Sequence, residues 1–366
     1  MKSGRPPAAR IAALDGFRAL AVLLVVAFHY FADLAMQPTM AWLYPFGNAF
    51  VDVPLLGLGG LGVNLFFMVS GFVIAMTLET SRNAADFALK RFARLFPAML
   101  LCSVLTFVVL NALPYPTWDV SPIDLLPGWT FISEHTWGAW LGRPVGVVDG
   151  VYWTLFVEVK FYLLAAVLYF SMRSVPLLVS VGLVINLQLA IGRLPLFAHD
   201  PAALEVFKDW TLYNFLPHFA AGIAFYAMSQ RRDLPLAIAL AAEAAAIVLL
   251  RARFEWQHLV FFGIFYSMFT ALVCAPRSVA AFGWRPLAAI GASSYSLYLL
   301  HNRLGISLTH NLAQVAPAWI SASALLPSAM VVFMVVLAWM VYRYWEVPAR
   351  KAVLSWGWTG VNPART

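Results

Sequence analysis

Two ionisable side chains fall inside apolar stretches of this sequence, where they could carry chemistry. His29 lies in the stretch from Ala19 to Met36, and Glu158 lies in the stretch that begins at Val151. Burial disfavours a charged imidazole, and a neutral imidazole keeps a lone pair that can act as a base or a nucleophile. The plainer alternative for His29 is a hydrogen bond to a neighbouring helix.

The carboxylate of Glu158 also has two interpretations. Inside an apolar stretch it either pairs with a cation, such as Lys160 or an arginine, or works as an acid or base. Lys160 follows two positions later and projects from a different face of a helix, which disfavours an internal pair. We therefore interpret Glu158 as a functional group.

Arginines occur at spacings that suit an anionic ligand. Arg91 and Arg94 are three positions apart and share one helix face, and paired guanidinium groups bind phosphate oxygens. We expect this basic run in the inner loop after the second span, where its plainer and favoured interpretation is a signal that sets membrane topology. Arg18 precedes His29 by 11 positions, about 16 Å along a helix. Asp15 can cap that helix or pair with Arg18.

Weaker signals come from a serine, a glycine pattern and the other histidines. Ser70 resembles half of a nucleophile elbow, but the full Gly-x-Ser-x-Gly pattern is absent and hydrogen bonding between helices explains the residue. Residues 57–62 match a nucleotide-binding glycine pattern, but no strand precedes them, so helix flexibility or close packing is the better interpretation. The remaining histidines lack ligand spacing, and we predict no metal site.

The composition indicates which elements must position these residues. Of 366 residues, 62% are hydrophobic and 11% are charged, whereas about 25% are charged in a typical soluble domain. Apolar runs of about 20 residues recur, which predicts an all-α integral membrane protein and excludes a soluble enzyme. The net charge of +7 does not indicate nucleic-acid binding, because the basic residues lie in short loops. The predicted spans are 19–37, 58–79, 96–113, 151–170, 175–192, 212–229, 234–250, 258–275, 287–303 and 322–343.

The distribution of basic residues predicts the orientation of the chain. Ten spans place both termini on one side, and that side holds 17 of the 24 Lys and Arg residues, against six on the other. The richer side should be cytoplasmic, so both termini are predicted there. The loop at 114–150 is then external, and its four tryptophans suit either an interfacial belt or a partly folded cap that stacks on sugar rings. We expect one membrane domain over 1–366, with no separate soluble domain.

Six segments occur in order from the first helix to the last. They are Leu14-Asp-Gly-Phe-Arg18 with His29, Phe66-Phe-Met-Val-Ser-Gly71, Arg91-Phe-Ala-Arg94-Leu-Phe-Pro97, Trp153-Thr-Leu-Phe-Val-Glu158 with Phe161-Tyr162, Ser294-Tyr-Ser-Leu-Tyr-Leu-Leu-His301, and Tyr344-Trp-Glu346-Val-Pro348-Ala-Arg350. Together they resemble the acyltransferase 3 family of integral membrane acyltransferases over essentially the whole chain. Peptidoglycan-type members of that family often continue with His-Trp-Pro and add a soluble domain, whereas Asn302 and Arg303 follow here.

The resemblance implies transfer of an acyl group from cytoplasmic acyl-CoA to a hydroxyl of a surface, exported or lipid-linked carbohydrate. The expected acyl group is acetyl. The location it implies is the bacterial inner membrane, with no permanently bound cofactor. His29 would be the catalytic group and Glu158 would assist. Arg18, Arg91 and Arg94 would bind CoA. Contacts with the substrate are expected at Asp15, Ser70, Trp153, Tyr295 and His301. The alternative is a carrier or flippase that uses His29 and Glu158 as a proton relay.

Overall fold

A computed structural model describes residues 8–33, 36–37, 50, 52–113, 117–192, 201–231, 233–253, 255–321 and 323–359. These residues form helices and contain no β-strand, which confirms the predicted all-α class. Residues 34–35 and 322 of the predicted spans, and 114–116 of the predicted loop, lie outside this description. The principal helices are α1 Ala8–Phe28, α2 Gly62–Glu79, α3 Ala84–Ala112, α4 Leu125–Thr130, α5 Glu134–Leu141, α6 Trp153–Met172, α7 Val175–Ala190, α8 Pro201–Trp210, α9 Leu216–Ser229, α10 Leu234–Arg251, α11 Trp256–Cys274, α12 Arg285–Ala292, α13 Ser294–Leu300, α14 Arg303–Val315, α15 Leu325–Val341 and α16 Val347–Thr359.

Seven helical segments among the described residues are long and apolar enough to cross a membrane. They are Ala12–Asp33, Gly59–Glu79, Ala84–Ala112, Gly150–Ser171, Leu234–Arg251, Trp256–Cys274 and Leu325–Ser355. Each corresponds to one predicted span, and the protein is therefore a multi-pass membrane protein.

The other three predicted spans coincide with shorter elements. Helix α7 has 16 residues and α9 has 14, and the predicted span at 287–303 is divided between α12 and α13, with a break at Ser293. Sixteen helical residues extend about 24 Å, less than the roughly 30 Å of a bilayer core. The count of ten stays a prediction.

The chain divides into two compact units, each made of separate segments. Unit 1 contains Met1–Arg18, Val63–Ala88 and Val157–Ala288, and unit 2 contains Ala19–Gly62, Leu89–Phe156 and Ala289–Thr366. In unit 1, Gly71 of α2 meets the backbone of Phe219, and Gly222 of α9 meets the backbone of Met68, each so closely that a Cβ would clash. Small residues therefore let α2 and α9 pack backbone to backbone.

Glycines also explain the pattern at 57–62. In unit 2, Gly59 packs against the carbonyl of Leu24, and Gly62 packs against the carbonyl of Ala21, with no room for a Cβ at either position. Because these glycines have no side chain, α1 can approach them closely, which agrees with the interpretation of the glycine pattern as a close-packing motif.

The segment at 117–150 is folded into short helices. Asp124 accepts hydrogen bonds from the backbone N–H of Ser121, at 2.8 Å, and of Gly146, at 2.7 Å. The indole of Trp129 donates to Ser103 at 2.9 Å, which ties α4 to α3. The described part of this loop is thus folded, and the choice between an interfacial belt and a cap that stacks on sugar rings stays a prediction.

Candidate active site

His29 begins a five-residue π-helical turn, His29–Asp33, that continues α1. Such turns are rare and frequently lie at functional sites. The His29 side chain is 15% exposed, and its Nδ1 lies 2.9 Å from the carbonyl oxygen of Val25. Its Nε2 lies 4.0 Å from the Asp33 carboxylate, which accepts a 3.0 Å hydrogen bond from Gln37. No described residue forms a hydrogen bond with Nε2.

His301 meets His29 within unit 2. The Nε2 atom of His301 lies 3.2 Å from Nδ1 of His29, with ring centroids 5.0 Å apart. His301 is fully buried, and its Nδ1 lies 2.7 Å from the carbonyl oxygen of Tyr298. The Tyr30 hydroxyl donates to the His301 carbonyl at 2.7 Å. Two imidazoles from opposite ends of the chain thus form one buried pair.

A buried carboxylate fixes the chain segment that carries His301. Asp149 is fully buried and accepts hydrogen bonds from the Arg303 backbone N–H at 2.8 Å, the Asn302 amide at 2.9 Å and the Val151 backbone N–H at 3.2 Å. Burial raises the pKa of Asp149, and the Arg303 charge and these hydrogen bonds oppose that rise. The Arg303 guanidinium also donates to the Val147 carbonyl at 2.7 Å. Sequence reasoning assigned no role to Asp149, because nothing in the local sequence connects it to His301.

The predicted CoA-side arginines belong to a second cluster in unit 2. Arg94 forms a 2.9 Å ion pair with Glu346, which is 1% exposed and accepts a 3.0 Å hydrogen bond from Ser296. The guanidinium of Arg350 lies within electrostatic reach of Arg91, Arg94 and Glu346. We call Arg91, Arg94, Arg350 and Glu346 the arginine cluster. Arg350 thus lies near two further guanidinium groups and near the carboxylate that pairs with Arg94.

The position of the paired arginines differs from the prediction. We expected Arg91 and Arg94 in a loop, but α3 begins at Ala84 and contains both. The helix therefore holds them on one face, as their spacing requires. Tyr295 joins this region, because its hydroxyl donates to the Leu95 carbonyl at 3.1 Å and its ring lies 6.0 Å from the Arg94 guanidinium.

Glu158 lies in unit 1 and has hydroxyl partners. Ser70 donates to its Oε1 at 2.6 Å and Tyr162 donates to the same atom at 2.7 Å. Lys160 pairs with Asp209 at 2.5 Å instead, so the alternative of a Lys160–Glu158 pair is wrong. Ser70 thus serves as a hydrogen-bond donor between α2 and α6, as its plainer interpretation held.

The remaining predicted residues also have defined positions. Asp15 forms a 2.6 Å ion pair with Arg18 in unit 1. Because α1 already begins at Ala8, Asp15 does not cap it, and the capping alternative is wrong. Trp153 begins α6 with 43% of its surface exposed. The structure therefore joins Asp15 to Arg18, Ser70 to Glu158, Tyr295 to Arg94 and His301 to His29.

Sequence comparisons give this geometry a family context. A family profile described as "Acyltransferase domain" (Acyl_transf_3) matches residues 11–343. The O-acetyltransferase OatA of Staphylococcus aureus is 25% identical over 380 residues, which cover 92% of this chain and 57% of that protein. The peptidoglycan O-acetyltransferase OatA of Listeria monocytogenes is 25% identical over 376 residues, covering 93% and 56%.

A shorter match is to the acyltransferase MdmB of Streptomyces mycarofaciens, 29% identical over 182 residues, which cover 47% of this chain and 42% of that protein. The chain thus spans about half the length of these curated relatives. No solved structure matches the chain significantly. The family profile covers both histidines of the buried pair and every predicted site residue, and the chain therefore belongs to the Acyl_transf_3 acyltransferase family.

Proposed function

We propose that this protein is a membrane-bound O-acyltransferase that moves an acyl group, acetyl above all, from cytoplasmic acyl-CoA to a hydroxyl of a cell-surface or exported carbohydrate. It acts in the bacterial inner membrane with ten spans and both termini in the cytoplasm. The observation that carries the proposal is the His29 imidazole. It lies at a π-helical turn, is mostly buried, and its Nε2 forms no hydrogen bond with any residue in the described part of the chain.

The chemistry requires one proton acceptor near a thioester. Nε2 of His29 takes the proton of the acceptor hydroxyl while the oxygen attacks the thioester carbonyl. The new C–O bond forms, the C–S bond breaks, and the departing thiolate takes the proton back from Nε2. The products are an ester and free CoA. The Asp33 carboxylate, 4.0 Å from Nε2, stabilises the imidazolium while it exists.

The arginine cluster supplies the donor side of this proposal. CoA carries its negative charge on phosphates at one end, and its pantetheine arm is long and uncharged. Guanidinium groups bind phosphate oxygens well, so three guanidinium groups gathered in one cluster suit the nucleotide end. A ligand phosphate would compete with Glu346 for Arg94.

The acceptor side rests on the names of relatives and on Glu158. Two relatives are named as O-acetyltransferases, one of them for peptidoglycan, which supports a cell-envelope carbohydrate as the acceptor. The Glu158 carboxylate, oriented by Ser70 and Tyr162, is assigned an assisting role toward acceptor hydroxyls. Carboxylates are good hydrogen-bond acceptors for such groups.

Radiolabelled acetyl-CoA tests the proposal. Membranes that contain the full chain should release CoA and place alkali-labile label in envelope carbohydrate, and H29A should abolish both. The matched control is H258A, a histidine in unit 1 that pairs with Glu255 at 3.0 Å, which should retain the wild-type rate. Folding of each variant is checked by its elution from size-exclusion chromatography in detergent.

Two results would contradict the proposal. Retained transfer in folded H29A would remove the role of His29. A wild-type protein that releases no CoA from acetyl-CoA, yet moves a solute across proteoliposomes, would identify a carrier.

A further inference from the structure

The hydrogen atoms of the two paired imidazoles follow from their backbone contacts. A carbonyl oxygen only accepts hydrogen bonds. Nδ1 of His29 faces the Val25 carbonyl at 2.9 Å, and Nδ1 of His301 faces the Tyr298 carbonyl at 2.7 Å. Each Nδ1 therefore carries the hydrogen, and in a neutral ring each Nε2 then has the lone pair.

This assignment gives direction to the contact between the rings. Nε2 of His301 can only accept, so the single Nδ1 hydrogen of His29 is shared between the Val25 carbonyl at 2.9 Å and Nε2 of His301 at 3.2 Å. His301 thereby favours the His29 tautomer that exposes a lone pair at Nε2. The nearby Asp33 carboxylate acts in the opposite sense, because it favours a proton on Nε2.

We propose that His301 is a positioning residue for the acyltransferase reaction. It holds His29 in the Nδ1–H tautomer, and it stabilises the imidazolium that forms when Nε2 takes the hydroxyl proton. This inference rests on the proposed function and goes beyond it, because it gives the second imidazole a role without substrate contact. A carboxylate commonly fills this position beside a catalytic histidine, and here a neutral imidazole fills it.

The surrounding structure holds His301 in the orientation that this role requires. Its carbonyl accepts from Tyr30 on one side. On the other side, the Asp149 carboxylate accepts hydrogen bonds from the next two residues, Asn302 and Arg303. The lone pair of His301 thus points at one atom with little rotational freedom, which is how supporting hydrogen bonds make a catalytic group precise.

Two substitutions at His301 separate positioning from other roles. H301Q keeps an acceptor near the former Nε2, whereas H301L removes it at similar volume. With radiolabelled acetyl-CoA and peptidoglycan fragments as probes, H301L should lower kcat about a hundredfold with an unchanged KM for acetyl-CoA. H301Q should recover at least a tenth of the wild-type kcat. The matched control H258L should keep wild-type kinetics.

Each alternative outcome has a distinct meaning. Folded H301L with wild-type kcat would overturn the inference, and so would H301Q as inactive as H301L. An effect of H301L on KM alone would assign His301 to substrate binding and overturn the positioning role. If the wild-type protein itself transfers no acetyl group, the proposed function fails rather than this inference.

Discussion

Two glutamates inside apolar helical segments are held by different chemistry. Glu346 in unit 2 is 1% exposed and accepts from the Arg94 guanidinium and the Ser296 hydroxyl. Glu158 in unit 1 accepts from two neutral hydroxyls, and no described residue forms an ion pair with it. The Glu346 carboxylate has a counter-charge in Arg94, whereas the Glu158 carboxylate has none among the described residues.

The difference in partners suggests that the charge of Glu346 serves the structure and that the charge of Glu158 serves the reaction. A buried charge that is paired and hydrogen-bonded can be kept for packing alone, and losing one partner is costly. An ionisable group in a membrane without a counter-charge is expensive, and such groups mark functional sites. We therefore expect Glu346 to matter most for folding and Glu158 to matter most for transfer.

The largest expected effect on folding is that of E346Q. The substitution leaves the Arg94 guanidinium without its counter-charge. Breaking a buried pair costs about 3–5 kcal/mol, and because the Arg94 side chain is 23% exposed, we expect the lower end of that range. The measurement is the free energy of unfolding in detergent micelles by denaturant titration.

The control for this prediction replaces both partners. The double variant R94L/E346L should recover part of the lost stability, because it removes the unpaired Arg94 charge, whereas Arg350 still loses the nearby Glu346 carboxylate. If E346Q unfolds at the same denaturant concentration as wild type, the structural role of Glu346 is wrong.

A smaller effect on folding is expected from S70A. The change removes one of the two hydrogen bonds to the Glu158 carboxylate, and a hydrogen bond to a charged group contributes about 1.5 kcal/mol. S180A is the matched control, because Ser180 donates to the carbonyl of Pro176 in its own helix. It should lose about 0.5 kcal/mol. Equal losses in the two variants would argue against a charged Glu158.

The smallest effect on folding is expected from E158Q. The amide still accepts from Ser70 and Tyr162, and no ion pair is broken, so the unfolding free energy should change by less than about 1 kcal/mol. Acetyl transfer should nevertheless fall at least about tenfold, because the negative charge is lost. E243Q in α10 makes the same change in unit 1 and should leave transfer unaltered. A fully active E158Q would remove Glu158 from the reaction.

Local sequence patterns were sufficient to predict the membrane helices and some of the contacts between side chains. Long apolar runs predicted the helical membrane class, since a bilayer admits few other structures. Spacing predicted that Arg91 and Arg94 share a face, and charge predicted the Asp15–Arg18 pair. Helix starts were predicted less well, because α1 and α3 begin with segments that contain charged residues, such as Arg10 and Asp86, which a search for apolar runs omits.

Long-range contacts were beyond the reach of these patterns. His301 was expected only as a substrate contact, and Asp149 had no assigned role. Their connection depends on which helices pack together, and it joins residues 153 positions apart in the Asn302–Asp149 contact. The π-helical turn at His29 was not predicted from the sequence either.

The two rings of the buried pair come from positions 272 residues apart. A ribosome must therefore make most of the protein, and the translocon must release its late helices, before His29 meets its neighbour. Until then the first helix carries an imidazole whose Nδ1 has only its own backbone to bond. The pair of imidazoles is consequently completed late in biosynthesis, after most of the chain has been made.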